Sequence, residues 1–416
     1  MTGTPNPFLA EASRTYIEAN AGTMRWLLAR PSLGGFLNSK QNSITLADYT
    51  AADGLRGPAY TYGWIQGRGL EALAEHAAFF ADSDPALSQQ IDAAGRSLYA
   101  RLVALWAQNG HAYFCYDADL NPVIAHKDGS TSPQSRPADI FTYSDIFVLK
   151  GLIAAAARYD SPETRDAYIA QLPAIVAAIE TGRFQMDEKR ELSAAALAEQ
   201  PDDFGPRMIL LGAAGLLKRI GRPDAADFAP RFVAHVLERH FDPASGLLRN
   251  VPGGDACNVG HGIELVGFAL DFFPDSLDTA TLERLQTVLI ASFKAGFHGP
   301  GIRLAVAVAD GTPQSPYCPW WSLPETIRAA ALCYERTANP QVLAIWQAAH
   351  AAFFQHFWRG KPALAYQTLT ENGPVDYVPA TPDLDPGYHT GLSLSAAIHV
   401  AQRLGAGRLS NPDTGA

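Results

Sequence analysis

Cysteine is scarce in this chain. Four cysteines stand among 416 residues, at Cys115, Cys257, Cys318 and Cys333, and no two form a CxxC pair. That excludes a disulfide framework and fits reduced thiols in a cytoplasmic protein. Charge is also thin, at 18% of residues, and the acidic side dominates, with 42 Asp and Glu against 32 Lys and Arg. A net charge of −10 argues against nucleic acid and against an anionic membrane surface as partners. No apolar run approaches the roughly 20 residues that span a bilayer. The opening residues "MTGTPNPFLAEAS" have neither a basic stretch nor an apolar one, so no secretory leader is expected. No fixed-period repeat is present, which disfavours a solenoid.

What the chain does have is apolar residues, 47% of the total, enough for a large core. They recur at helical spacing. Ile17, Ala21, Met24 and Leu28 make one stripe, and Leu282, Leu285, Leu289 and Phe293 another. About a dozen such segments follow one another between Pro, Gly, Asp and Ser stops. They fall near 10–29, 64–80, 87–108, 141–158, 163–181, 207–219, 225–241, 262–273, 279–296, 321–336, 341–358 and 389–403. Three short β-like pieces carry turn signals: "HAYFCYDADLNPVI", "IRLAVAVADGTPQ" and "ALAYQTLTENGPVDYV". No strand alternates regularly with the helices, so a doubly wound α/β fold is disfavoured. The expected fold is all-α. Residues 1–416 are read as a single domain, an (α/α) barrel or toroid of six helical hairpins with small inserted β-hairpins.

Most of the eleven histidines lie inside helical stripes, where packing and capping are their usual work. His261 in "NVGHGIE" and His389 in "DPGYHTG" differ, since each follows a Gly-containing loop and opens a predicted helix. A helix N-terminus lowers a histidine pKa and favours the neutral imidazole that a general base needs. Glu264, one turn beyond His261, is placed to orient that ring or bond a hydroxyl. Arg68 stands in the aromatic helix "TYGWIQGRGLEAL", where it needs a partner or a cavity. "PYCPWWSLPETIRAA" sets Trp320 and Trp321 beside Glu325 and Arg328, a mixture suited to a sugar's apolar faces and hydroxyl rim. "FTYSDIFVLKGL" adds Tyr143 and Asp145. For all of these, ordinary core packing with a buried ion pair is the competing reading.

Taken in order, these segments resemble the N-acylglucosamine 2-epimerase superfamily over about residues 8–403. "WIQGR" looks like its W-x-Q-G-R segment, "TYSDIF" is similar to its Tyr-x-x-x-Phe segment, and "NVGHGIE" looks like its N-P-G-H-x-x-E. "WWSLPE" is similar to W-W-x-x-x-E, and "PGYHTG" to the G-P-Y-H segment. The resemblance implies a six-hairpin α/α barrel that epimerises or isomerises free sugars at C2 without metal or redox cofactor. It implies His261 and His389 as the acid–base pair, with Arg68 and Glu264 beside them. Tyr143, Trp320, Trp321, Glu325 and Arg328 would line the substrate site. The chain departs from the pattern at Val259, where the family has proline, and at Leu384, where several members have tryptophan. Gly205 and Ile209 stand where cellobiose epimerases carry Asn and His.

The expected reaction is proton abstraction at C2 of an opened sugar through an enediolate, with N-acylglucosamine or N-acylmannosamine as the leading substrate type. An aldose–ketose isomerase of the mannose/fructose type is the alternative. A glycoside hydrolase would use Glu264 and Glu325 as its two carboxylates but leaves the histidines idle. A non-catalytic sugar-binding module and a metal site on His261, Glu264 and His389 are further readings. The partner is a small-molecule sugar, and a homodimer is left open.

Overall fold

The computed structural model describes residues 6–273, 277–377 and 380–406. Helices α1 (Pro7–Leu28), α2 (Gly63–Phe80), α3 (Pro85–Asn109) and α4 (Tyr143–Tyr159) are followed by α5 (Pro162–Ile169), α6 (Leu172–Glu180) and α7 (Ala194–Glu199). Then come α8 (Gly205–Arg219), α9 (Phe228–Arg239), α10 (Val259–Phe272) and α11 (Thr279–Gly296). The last three are α12 (Ser322–Thr337), α13 (Pro340–Ala352) and α14 (His389–Gly405). Each of the twelve expected segments holds helix. The segment near 163–181 is two helices, because the chain re-initiates at Leu172 with Pro173 in the first turn, where proline's missing N–H costs nothing. The segment near 341–358 ends as α helix at Ala352 and continues as a π turn over Phe353–Phe357. Residues 1–5, part of the leader reading, and Val378, the end of the third β-like run, lie outside the described residues.

The packing divides the chain into two compact units. One holds Thr23–Phe228 and Val378–Tyr388, the other Met1–Gly22, Ala229–Tyr377 and His389–Ala416.

In the unit of Thr23–Phe228, α2 packs on α4 and α4 on α8, with α3 behind α2 and α5 and α6 behind α4. Helices α2, α4 and α8 are buried almost all round, while α3 buries one stripe, including Leu87, Ile91, Leu98, Leu102 and Leu105. Glycine permits the close α2–α4 crossing. A Cβ on Gly67 would lie 2.5 Å from the Phe147 backbone, and one on Gly151 2.5 Å from the Gly67 carbonyl. Thr61–Tyr62, Cys115–Tyr116, Pro122–Ala125 and Thr131–Pro133 form a small antiparallel sheet that includes the first expected hairpin.

In the other unit, α10 packs on α12 and α12 on α14, with α11 and α13 behind them. Trp346 of α13 donates its indole N–H to the buried Tyr16 hydroxyl at 3.0 Å, tying in the start of α1. The third expected hairpin pairs Thr368–Thr370 with Gly373–Pro374 around Glu371–Asn372, and Cys318–Pro319 joins it. The second gains a further strand. Val306–Ala307 pairs with Ala256–Cys257 as well as closing the Asp310-Gly311 turn through a bridge to Pro313 and the hydrogen bonds Ala307 N–H to Thr312 O and Gln314 N–H to Ala305 O.

Candidate active site

Helix α10 begins at Val259, two residues before His261. Asn258 caps it, its side-chain oxygen accepting the His261 backbone N–H at 3.2 Å. His389 is the first residue of α14. Both histidines therefore sit in first turns, as their sequence settings suggest. Both rings meet Trp321, the residue before α12. Its ring centre is 5.6 Å from His261 at 33° and 5.9 Å from His389 at 36°. Gly260 makes room for it, since a Cβ there would come within 2.5 Å of the indole. Trp320 meets the His389 ring edge-on at 6.2 Å.

The two imidazoles have different surroundings. His389 is buried, and its Nδ1 lies 3.0 Å from Glu325 Oε1 and 3.9 Å from Glu264 Oε1. Arg328 pairs with the other Glu325 oxygen at 3.1 Å and lies over the Phe268 ring. Burial opposes ionisation of Glu325, but the Arg328 guanidinium and the bond to His389 outweigh it and hold the carboxyl below its ordinary range. An ionised carboxylate only accepts, so Nδ1 of His389 carries the hydrogen and Nε2 is left as its basic nitrogen. Desolvation by the surrounding protein, and then the charge of His389, pull the pKa of His261 down to about 4. Glu264, one turn along α10, has its Oε1 3.9 Å from His389 Nδ1. The carboxylates of Glu264 and Glu325 and the His389 nitrogen all lie within 4.8 Å of one another, so this cluster has the donors for a cation, although Arg328 and His389 already engage Glu325.

Arg68 and Tyr143 belong to the other compact unit. The Arg68 guanidinium is buried among three aromatic faces: Phe147 at 4.0 Å, Trp64 at 5.3 Å and Tyr388 at 5.6 Å. Cation–π attraction answers the sequence question of what a buried arginine finds in that helix. Tyr143 is half-buried against Trp64 and Phe184. A Cβ on Gly205 would lie 2.7 Å from its hydroxyl, so this glycine leaves the space Tyr143 uses. Asp145 is structural: fully buried, it caps α4 through Thr142 and pairs with Arg136 at 2.7 Å.

Glu188 escaped the sequence reading. It lies in "MDEKRELS", a run that reads as solvated charge, yet it is buried. Its carboxyl accepts the Trp64 indole N–H at 2.7 Å, the Ser144 backbone N–H at 3.1 Å and the Ser144 hydroxyl at 2.5 Å. Burial pushes its pKa up to about 7. Lys150, Glu71 and Tyr388 were missed too, being a lysine and a glutamate inside apolar helices and the tyrosine before His389.

Matched by shape, the chain has the (α/α)6-barrel fold of the solved sugar epimerases. The cellobiose 2-epimerase of Spirochaeta thermophila superposes with a TM-score of 0.71 at 15% identity, covering 96% of this chain and 100% of that one. The cellobiose 2-epimerase of Bacillus thermoamylovorans gives 0.70 at 16%, covering 95% and 99%. A D-mannose isomerase gives 0.66 at 14%, covering 96% and 99%. By sequence, no family model matches the chain and no curated protein matches it significantly.

Proposed function

We propose that this protein is a cofactor-independent sugar isomerase that epimerises C2 of a free aldose or N-acyl hexosamine. The observation that carries the reading is the His261–Trp321–His389 arrangement. Two imidazoles at helix starts meet one indole, at 5.6 Å and 5.9 Å, and Glu325 backs His389 at 3.0 Å.

The sugar ring opens to expose the C1 carbonyl, which acidifies the C2 proton. One histidine takes that proton and an enediolate forms. The other returns a proton to the opposite face of C2, which inverts the centre. Neutral His261 suits abstraction, and His389 suits donation because Glu325 stabilises its imidazolium. In the reverse direction the roles exchange. Arg68 keeps the part the sequence resemblance gives it, countering the enediolate charge. Glu264 supports His389. Trp320, Trp321 and Tyr143 would contact sugar faces and hydroxyls, and Arg328 acts through Glu325.

The fold shared with a D-mannose isomerase supports a second reading, in which one histidine moves the proton from C2 to C1 and the product is a ketose. The N-acyl hexosamine assignment rests on Gly205 and Ile209 in α8, where the asparagine and histidine of cellobiose epimerases are absent. The test is incubation with a panel of aldoses, ketoses and N-acyl hexosamines, read by NMR. A new C2 epimer is the expected product. A ketose would move the assignment to the second reading, and a reducing sugar released from an oligosaccharide would overturn both.

A further inference from the structure

In the unit that holds Ala229–Tyr377, an open cavity of about 380 Å³ lies outside the residues given to the proposed chemistry. That volume is within the range of small-molecule sites, roughly 300–1,000 Å³. Its polar lining is Arg303, Gln314, Ser315, Thr370, Glu371 and Asn372. Arg303 is buried, and its guanidinium is already engaged. One nitrogen donates to the Pro316 carbonyl at 2.6 Å and another pairs with Glu371. The charges on the wall therefore cancel, and an anion would have to displace Glu371 from a buried guanidinium. The same two contacts strap the loop at 313–316 to the Glu371–Asn372 turn, so the wall is set before a ligand arrives. What remains is neutral hydrogen-bonding capacity. The carboxamides of Gln314 and Asn372 are exposed and make no hydrogen bond among the described residues. Each offers two donors and an acceptor. Ser315 Oγ accepts the Tyr317 backbone N–H at 3.3 Å, which leaves its hydrogen to donate. One residue beyond Pro316, Tyr317 stacks on Tyr377 with ring centres 4.2 Å apart, and Tyr377 is 39% exposed.

We propose that this cavity is a non-catalytic binding site for a neutral sugar residue, read by the Gln314 and Asn372 carboxamides. A sugar's rim of hydroxyls both donates and accepts, which a carboxamide matches and a lone cation does not. Its C–H faces are apolar, and the Tyr317–Tyr377 stack supplies an aromatic surface of the kind they pack on. The site needs no turnover and stands apart from the reading of the two histidines.

The test is an NMR titration of the full-length, nitrogen-labelled protein. The side-chain amide signals are assigned by their loss in Gln314→Glu and Asn372→Asp. The probes are the methyl glycosides of glucose, mannose and N-acetylglucosamine. A glycoside locked at C1 cannot open, so it is not turned over and binding is read alone. At least one probe is expected to move both signals along a saturating curve at millimolar concentration. Gln314→Ala and Asn372→Ala should each weaken that binding about five- to tenfold, the effect of losing one or two hydrogen bonds. Both positions are exposed, and circular dichroism checks that the variants fold. Signals unmoved by every glycoside, shifts that never saturate, or unchanged affinity in both alanine variants would overturn the proposal. So would an equal response to sodium phosphate, which would make the cavity an anion site built on Arg303.

Discussion

Two histidines at helix starts carry the chemistry proposed here. His261→Ala and His389→Ala are each expected to lower turnover by at least about 10²-fold with the fold retained, as general acid–base groups do. His350→Ala is the control: that ring packs against Tyr16 and Phe8, and most activity should remain. Steady-state kinetics with circular dichroism separates the two outcomes. The depressed pKa of His261 has a kinetic signature. A base must be deprotonated, so the acid limb of kcat/KM should fall near pH 4 instead of near 6.5, with activity kept down to about pH 5. Glu188 behaves in the opposite sense. Its folded pKa of about 7 lies above its unfolded value, so its contribution to stability is present below the unfolded pKa and is lost as pH rises through 7. Melting of Glu188→Gln should therefore gain on wild type between pH 5 and pH 8, and an unchanged difference would contradict the raised pKa. Histidines at helix starts could be read from the sequence because glycine loops and apolar runs mark a helix end. Glu188 could not, because a carboxylate folded inward from a charged loop has no local signature.

Elements place those residues by close approach. Helical periodicity is a local property, and it marked the helices; the turn pairs Asp310-Gly311 and Asn372-Gly373 marked bends that exist. Which strand pairs with Val306–Ala307 depends on a segment 50 residues away, so the periodicity could not reveal it. Nor could it reveal that Glu264 serves His389, since that contact spans α10 and α14. The glycines at crossings are testable. Gly67→Ala puts a methyl 2.5 Å from backbone in α4 and should cost about 1–3 kcal/mol of stability by overpacking, seen in chemical denaturation. Gly260→Ala pushes instead on Trp321, a side chain against the rings of both histidines. It should lower activity more than stability, and equal losses of both would argue that Trp321 has no part in the site.

For the whole molecule, the class of fold was legible because about twelve alternating helices leave few arrangements. Motif order then narrowed it to the fold found for sugar epimerases and an isomerase. The substrate was not legible, because sugars that differ in one substituent call for the same aromatic and hydrogen-bonding residue types. Activity is expected to survive dialysis against a chelator, since Arg328 and His389 already engage Glu325 in the Glu264, Glu325 and His389 cluster. Loss on chelation with recovery on added metal would assign the Glu264, Glu325 and His389 cluster to a cation. The most direct test of the central claim is turnover in heavy water with product NMR. Epimerisation by His261 and His389 predicts solvent deuterium at C2 of the new epimer, and none when either histidine is alanine. An epimer that keeps its original C2 proton would contradict proton transfer by this pair.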